Sequence, residues 1–163
     1  MKRIVIFGNS GSGKSTLAKK LSAELSCSHL DLDTIAWEPH SDTPTRRSLA
    51  ESATEIRTFT DSEEDWVVEG CYADLLEVAM SRATEIVFLN PGVETCIENA
   101  RNRPWEPHKY SSPAAQDANL NMLVEWIRAY DKRMDEFSKL AHRRLFDEFK
   151  GYKRELNSNE RGS

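Results

Sequence analysis

Eight consecutive residues near the amino terminus, Gly8 to Ser15, have the types and spacing of a loop that binds phosphate groups. Their sequence, GNSGSGKS, fits the pattern G-x-x-x-x-G-K-[ST], in which glycines let the backbone wrap inward so that its N–H groups face a phosphate chain. In this pattern Lys14 reaches the β- and γ-phosphates, and the Ser15 hydroxyl ligates Mg²⁺. We therefore predict that the chain binds a nucleoside triphosphate. The predicted contact residues are Gly8, Asn9, Ser10, Gly11, Ser12, Gly13, Lys14, Ser15 and Thr16.

Two aspartates, Asp31 and Asp33, are the best acidic candidates to act beside the phosphate chain. They lie at the end of a predicted strand at 28–32, and ligands of α/β sheets bind at the carboxyl ends of strands. Alternate residues at a strand end point to opposite sides, but in the turn beyond the strand both can face one cleft. A second interpretation stays open, in which the pair forms an Asx-type turn with solvent-facing acids.

The elements that must position these residues alternate between strands and helices. Short apolar runs predict strands at 3–7, 28–32, 66–69, 85–89 and 151–156. Apolar residues at helical spacing predict helices at 14–25, 44–59, 74–82, 93–101 and 117–149, the last with a break near Phe137 and Ser138. Such alternation indicates a parallel sheet covered on both faces. We predict an α/β fold with three layers, α/β/α, around a five-stranded parallel sheet, followed by a polar tail at 157–163.

Residues 102–118 interrupt this alternation. The first part, 102–113, holds three prolines, two aromatic residues and three basic side chains when His108 is counted. An irregular stretch of this length inside a compact domain is usually a functional lid or a mobile insert. We predict one domain over 1–163 with a lid at 102–118, in which Arg101, Arg103 and Lys109 lie over the γ-phosphate.

Composition excludes several classes of protein. The chain has 163 residues and a net charge of −5, without the net basic face of a nucleic-acid binder. No apolar run approaches the ~20 residues that a membrane span needs. The three cysteines are odd in number and widely spaced, which argues against a disulfide framework and for a reducing compartment. We expect a cytoplasmic protein, a monomer or homodimer, that binds neither nucleic acid nor membrane.

Other nucleotide-binding motifs narrow the choice further. A GTPase needs an N-K-x-D motif that reads guanine, and the sequence has none. Motor and AAA-type ATPases need more chain and a hydrophobic strand that ends in an acidic pair. Because the fourth predicted strand is followed by Asn90, which is not a carboxylate, these classes are not favoured.

The chain resembles the small-metabolite and nucleoside monophosphate kinase branch of the phosphate-loop superfamily. Shikimate kinase and gluconate kinase are familiar members, and the run Trp66 to Tyr72, WVVEGCY, looks closer to the adenylate kinase-like topology modulation proteins. The resemblance implies a sheet of the phosphate-loop kinase type. It also implies that Asp31 holds a water on Mg²⁺, that Asp33 faces the acceptor hydroxyl, and that Gly70 lies close to the transferring phosphate.

Four arginines match basic positions of these kinases. Arg46 and Arg47, after Pro44, lie in the region where the family holds an acceptor carboxylate. The Arg101-x-Arg103-Pro run resembles the lid motif of shikimate kinase, which implies a catalytic role for both side chains. The alternative for Arg46 and Arg47 is that they are ordinary exposed helix arginines, and for Arg103 that it is a surface loop residue.

These observations favour a phosphotransferase that uses ATP and Mg²⁺ to phosphorylate a hydroxyl of a small metabolite. Lys14, Asp33, Arg101 and Arg103 are the predicted catalytic residues, Ser15 and Asp31 the metal ligands. Asp33, Arg46, Arg47 and Gly70 are predicted to contact the acceptor. Two other functions stay open: a regulatory nucleotide-binding module that hydrolyses ATP slowly, and a nucleoside or nucleotide kinase.

Overall fold

The structure is a computed structural model that describes residues 1–158. Five strands are present, β1 (Arg3–Gly8), β2 (Ser28–Asp31), β3 (Trp66–Gly70), β4 (Glu85–Leu89) and β5 (Tyr152–Leu156). Six α-helices lie between them, α1 (Lys14–Leu25), α2 (Leu49–Ser62), α3 (Ala73–Met80), α4 (Val93–Arg101), α5 (Pro113–Arg128) and α6 (Lys139–Glu148). Of the predicted polar tail, 159–163 lies outside the described residues. No helix in the described part is long and apolar enough to cross a membrane.

The five strands form one parallel sheet with the order β2-β3-β1-β4-β5. Strand β1 lies at the centre, so that Phe7 pairs with Gly70 of β3 on one side and with Phe88 of β4 on the other. The central strands β1, β3 and β4 are buried almost throughout, as expected for a parallel sheet with both faces covered. The predicted α/β fold with a five-stranded parallel sheet is confirmed.

Alternate residues of β1 supply two separate apolar cores. Val5 and Phe7 belong to the larger core, which also contains Trp66 and side chains of α2, α3 and α6. Ile4 and Ile6 face the other side and pack with side chains of α1. This period of two places the carboxyl end of β1, where the phosphate loop begins, between two packed layers.

Helix α2 begins at Leu49, later than the predicted start at residue 44. The Ser48 hydroxyl accepts a hydrogen bond from the Glu51 backbone N–H at 3.2 Å and caps the helix. Ser48 and Glu51 have the spacing of a capping box, a start signal that was available in the sequence. Upstream of it, Trp37 and Arg46 form an isolated antiparallel bridge, so residues 37–48 build a loop beside the cleft.

The helical range predicted at 117–149, with a break near Phe137 and Ser138, is divided in the structure between two helices. Helix α5 starts earlier, at Pro113, where the Ser112 hydroxyl caps it, and it ends in a 3₁₀ turn at Ala129–Asp131. Helix α6 starts after Ser138, whose hydroxyl accepts from the Ala141 N–H, at the predicted break. Since α5 includes residues 113–118, the irregular part of the predicted lid is only 102–112.

Candidate active site

A cleft of about 690 Å³ opens at the carboxyl ends of β1, β2 and β3. The phosphate loop lines one part of the cleft, and Asp31, Asp33 and Gly70 line another. The segment at 103–110 and helix α5 also contribute side chains. The structure therefore brings the predicted phosphate-binding residues and the predicted acceptor residues into one cavity, at the sheet edge where α/β folds bind ligands.

The conformation of the phosphate loop is set by its glycines and by contacts with two helices. Gly11 has a φ of 79°, and a Cβ there would collide with the Cys96 backbone oxygen in α4. The Asn99 side chain, also in α4, donates to the Gly11 carbonyl at 2.8 Å. The Asn9 amide donates to the carbonyl of Ile127 in α5 at 3.2 Å. The loop is thus held from behind by α4 and α5.

The predicted nucleotide contacts divide into two groups. Six of them line the cleft, namely Ser10, Gly11, Gly13, Lys14, Ser15 and Thr16. The other three loop residues, Gly8, Asn9 and Ser12, do not line the cleft. Asn9 is 4% exposed and Ser12 is 1% exposed. The Lys14 ammonium donates to the Asn9 carbonyl at 2.7 Å, which keeps the lysine folded over its own loop. These three residues therefore shape the loop from its buried side: the Ser12 backbone N–H donates to the Asn9 carbonyl at 3.1 Å, and the Asn9 amide joins the loop to α5.

Glu69 at the end of β3 was not among the predicted site residues. Its Oε2 accepts a hydrogen bond from the Ser15 hydroxyl at 2.8 Å and lies 3.2 Å from His29 Nε2. It is 2% exposed and lies beside Ile6 in the neighbouring strand β1. The only sequence signal for Glu69 is an acidic residue at the end of an apolar run, and its position beside the phosphate-loop strand follows from the sheet order.

Asp31 combines both interpretations of the Asp31/Asp33 pair. Its Oδ1 accepts from the Asp33 backbone N–H at 2.9 Å, as in an Asx-type turn, yet the residue also lines the cleft. Partial burial, together with the negative charges of Glu69 and Asp33, raises the pKa of the Asp31 carboxyl to about 6. Asp31 and Glu69 thus form an acidic region that a cation would stabilise.

These residues fit a magnesium ion that is also held by phosphate oxygens. No group of three or more His, Cys, Asp or Glu side chains in residues 1–158 is arranged to hold a metal ion by itself. Mg²⁺ is usually bound through one or two carboxylates, several waters and the substrate phosphates. The hydroxyl of Ser15 and the carboxylates of Glu69 and Asp31 provide this set of oxygens beside the phosphate loop.

Asp33 is held by two donors. The Tyr72 hydroxyl donates to its Oδ1, and the Lys109 ammonium donates to its Oδ2 at 3.2 Å. Trp37 Nε1 donates in turn to the Tyr72 hydroxyl at 2.9 Å. Partial burial alone would raise the pKa of Asp33, but the charge of Lys109, the hydrogen bond from Tyr72 and the charge of Lys14 lower it below its usual value. Asp33 is therefore ionised at neutral pH.

Only one of the two lid arginines reaches the cleft. Arg103 lies 3.2 Å from Glu106 and lines both the cleft and a small neighbouring cavity of about 30 Å³, whereas Arg101 lines only the small cavity. Lys109 reaches into the cleft from the same segment. The Gln116 side chain accepts from the Glu106 N–H at 2.8 Å, so the first turns of α5 hold the segment in place.

Arg46 and Arg47 do not line the cleft. The Arg46 guanidinium pairs with Asp74 at 3.0 Å and with Glu136 at 2.9 Å. Arg47 pairs with Glu55 at 2.6 Å, on the outer surface of α2. Neither guanidinium is directed at a ligand, so the geometry does not support the predicted contact between these arginines and an acceptor carboxylate. Both instead hold the loop at 37–48 to neighbouring helices.

Comparison with known proteins agrees with this architecture. A family model described as "AAA domain" matches residues 4–121. An uncharacterized protein of Bacillus subtilis, YqaC, is 28% identical over 148 residues, which are 86% of this chain and 80% of that protein.

Two solved structures share the fold at low identity. A shikimate kinase from Bacteroides thetaiotaomicron superposes with a TM-score of 0.50 at 20% identity, covering 98% of this chain and 89% of the kinase. A sugar kinase from Janibacter sp. HTCC2649 superposes with a TM-score of 0.51 at 15% identity, covering 97% of this chain and 87% of the kinase. At these identities the comparison establishes the fold and no more.

The sequence prediction that disfavoured AAA-type ATPases is not supported by the matched family. It rested on Asn90 after β4 and on the short chain, whereas the matched family model carries the AAA name. The acid beside the phosphate loop is Glu69 of β3, because β3 and not only β4 adjoins β1. Sequence order alone does not tell which strand lies next to the loop.

Proposed function

The chain belongs to the AAA domain family of phosphate-loop NTPases and has the fold of the shikimate kinase-like branch, and on this basis we propose that it is a small-molecule kinase. It transfers the γ-phosphate of ATP to a hydroxyl of a small acceptor. The observation that carries this proposal is that Lys14 and the ionised Asp33 line the same cleft. A phosphate site alone would serve hydrolysis or binding, whereas a carboxylate beside it serves an attacking hydroxyl.

The phosphate side of the cleft binds and orients the nucleotide. The N–H groups of the loop and the start of α1 face the phosphate chain, and Lys14 exchanges its contact with the Asn9 carbonyl for the β- and γ-phosphate oxygens. Ser15, Glu69 and Asp31 would hold a magnesium ion, directly or through water. When bound, Mg²⁺ neutralises the charge that builds up on the phosphate oxygens.

Asp33 positions the acceptor. A carboxylate has about four lone-pair sites, so Asp33 can accept from an acceptor hydroxyl while Tyr72 and Lys109 still donate to it. The acceptor oxygen forms a bond to the γ-phosphorus, the bond from that phosphorus to the β–γ bridging oxygen breaks, and ADP leaves. The hydroxyl proton passes to Asp33, which releases it to solvent after the product leaves.

The segment at 103–110 completes the cleft. Phosphoryl transfer needs positive charge on the oxygens of a loose transition state and the exclusion of water. Arg103 and Lys109 line the cleft from this segment and supply that charge. Arg101, at the end of α4, lines only the small cavity beside the segment and does not reach the cleft.

The test measures ADP formation from Mg·ATP by the purified protein, alone and with a panel of small hydroxyl compounds. Acceleration by one class of compound, lost in both Lys14→Ala and Asp33→Asn, is the expected result. Asp42→Asn, an exposed aspartate of the loop at 37–48, is the matched control and keeps the acceleration.

Two outcomes argue against the proposal. A slow rate that no acceptor changes, but that Lys14→Ala abolishes, indicates a regulatory ATPase. Near-normal acceleration in Lys14→Ala removes the assignment of the phosphate loop itself.

A further inference from the structure

Four aromatic rings line the cleft beside Asp33 and form a continuous wall. Trp37 and Tyr72 meet edge to face with ring centroids 6.2 Å apart, Tyr72 and Phe137 at 5.2 Å, and Phe137 and Trp126 at 5.1 Å. All four line the cleft, and the Tyr72 hydroxyl donates to Asp33. The aromatic wall, as we call these four residues, therefore begins at the carboxylate that is proposed to hold the acceptor.

The arginines closest to the aromatic wall are already neutralised. The Arg46 guanidinium lies 4.9 Å from a ring centroid of the wall and pairs with the acids Asp74 and Glu136. The Arg133 guanidinium lies 3.3 Å from another ring centroid and pairs with Asp135 at 2.6 Å. Both are among the residues that do not line the cleft. These cations support the rings, and their charge is balanced by their own carboxylates.

The basic side chains that line this side of the cleft also have acidic partners. Arg103 lies 3.2 Å from Glu106, and His108 lies 3.5 Å from the same carboxylate. Lys109 lies 3.2 Å from Asp33 and 3.5 Å from Glu106. A carboxylate on the acceptor would have to compete for these side chains both with the acids and with the phosphate oxygens that Arg103 and Lys109 are proposed to stabilise. Without such a partner the cost of removing the carboxylate from water would not be offset.

The geometry points to an acceptor that is an uncharged ring compound with a free hydroxyl, and not a hydroxy acid. This inference rests on the proposed function and names the acceptor class of the same cleft. One flat face of the ring stacks on the aromatic wall, and the hydroxyl is oriented by Asp33. Flat faces of this kind are offered by the base of a nucleoside and by the apolar side of a sugar ring. Aromatic side chains contribute strongly to the binding of both because they bury area at a small entropic cost.

The test measures binding without turnover, so that it does not depend on catalysis. Saturation-transfer NMR and calorimetry are carried out with the full chain, Mg²⁺ and a non-hydrolysable ATP analogue. The probes are uncharged nucleosides, methyl pyranosides, and two hydroxy acids of similar size, shikimate and gluconate. We expect the nucleosides or the pyranosides to bind at least ~10-fold more tightly than either hydroxy acid, in the range that one base–aromatic stack gives.

Two variants locate the bound ring. Trp126→Ala removes a half-exposed ring of the wall and is expected to weaken binding of the preferred probe about 10-fold, as loss of one stacking ring does. Met122→Ala is the control, because Met122 is a 74% exposed residue of the same helix α5 that does not line the cleft. Trp37→Phe keeps a ring but loses the indole N–H, so it separates stacking from the hydrogen bond to Tyr72.

The outcomes separate this inference from the proposed function. Tighter binding of a hydroxy acid, or binding of uncharged rings that Trp126→Ala leaves unchanged, overturns the inference, even if ADP formation is accelerated. No binding of any uncharged ring at millimolar concentration also overturns it. Binding of uncharged rings through Trp126 without acceleration of ADP formation supports the acceptor class and contradicts the kinase activity.

Discussion

The Ser15 hydroxyl donates to Glu69 Oε2 at 2.8 Å, so the last residue of the phosphate loop is joined to the strand beside it. Ser15 is the second residue of α1, and Glu69 follows the apolar residues of β3. Both residues line the cleft beside the phosphate loop, and under the proposed function both oxygens would hold the same magnesium ion. Substitution of Glu69 is therefore expected to affect Mg²⁺ binding without affecting the binding of ATP alone.

The first prediction concerns Glu69→Gln, which keeps the size of the side chain and removes its charge. ATP binding without Mg²⁺ is expected to persist, because Lys14 and the loop N–H groups are unchanged. The gain in affinity on adding Mg²⁺ is expected to fall about 10-fold or more, as for the loss of a metal-orienting group. Calorimetric titration with ATP, with and without Mg²⁺, measures the difference.

Glu85→Gln is the matched control for that variant. Glu85 is also a buried strand glutamate, 8% exposed, but it begins β4 at the opposite end of the sheet and pairs with Lys2. If both variants lose the same part of the Mg²⁺-dependent gain in ATP affinity, the net charge of the chain, and not the position of Glu69, determines that gain.

The second prediction concerns Gly11→Ala. An alanine there is strained at a φ of 79°, and its Cβ collides with the Cys96 carbonyl, so the loop must move away from α4. We expect ATP affinity to fall below detection, together with a loss of stability of about 1–3 kcal/mol, the usual cost of a residue in an unfavourable backbone region. Gly92→Ala is the control, because Gly92 has a φ of 101° and nothing within 4 Å of the added Cβ. Thermal unfolding and nucleotide titration are measured for both variants. A larger loss in Gly11→Ala than in Gly92→Ala shows that the close approach to Cys96, and not the positive φ angle alone, causes the loss.

The third prediction concerns Lys109→Met. Removing this ammonium takes one cation from the cleft and one donor from Asp33, while the chain length stays similar. We expect kcat to fall about 10²-fold, the size of effect seen when one stabilising donor is removed from an active site. Lys109→Arg is expected to restore part of the rate.

Steady-state kinetics with the acceptor found in the panel provide the measurement for Lys109. Lys132→Met, an exposed lysine after the 3₁₀ turn, is expected to leave kcat unchanged. A change in the KM for the acceptor with no change in kcat would assign Lys109 to binding alone.

The fourth prediction is a dependence of stability on pH that comes from His142. This side chain is buried, its Nε2 lies 2.8 Å from the Cys71 carbonyl, and its Nδ1 lies 2.7 Å from the Tyr130 hydroxyl. Burial lowers its pKa from 6.5 to about 4, so the neutral ring is preferred in the folded chain. The unfolded chain binds the proton more tightly, and the free energy of unfolding therefore falls as the pH drops from about 6.5 towards 4. The expected loss from His142 is ~2 kcal/mol between pH 7 and pH 5.

Chemical unfolding at both pH values checks this, with His142→Asn compared against the exposed His40→Asn. The loss between pH 7 and pH 5 should shrink in His142→Asn, whatever its absolute stability, and stay as in the parent chain in His40→Asn. A parent-like loss in His142→Asn would show that other groups carry the effect.

The parts of the fold that could be predicted are those with local signals. Each central strand is a short apolar run, and the order of strands and helices followed from these runs and from the turn residues between them. The two errors in helix boundaries also had local causes, since the caps Ser48 and Ser112 mark where α2 and α5 begin. Pro44 and Asp117 are also helix-start signals, and nothing in the local sequence ranks them below the caps.

The site was predictable to the extent that its residues follow a strand or belong to the phosphate loop. The other site residues are positioned by contacts between distant parts of the chain. Arg46 lies 90 residues from Glu136, and Lys109 lies 76 residues from Asp33. No spacing rule indicates which arginine is neutralised by an acid and which one lines the cleft, because that depends on how the loops fold over the sheet.

The hydrogen bond from Asn9 to the Ile127 carbonyl has a consequence for how the protein is made. During translation the motif at 8–15 leaves the ribosome early, but the helices that support it, α4 and α5, end at Arg101 and Arg128. Strand β1 also needs β3 and β4 on both sides. We expect a nascent chain halted before Ile127 to carry the complete motif and yet capture little ATP. Ligand binding would then appear late in synthesis, only after α5 has been made.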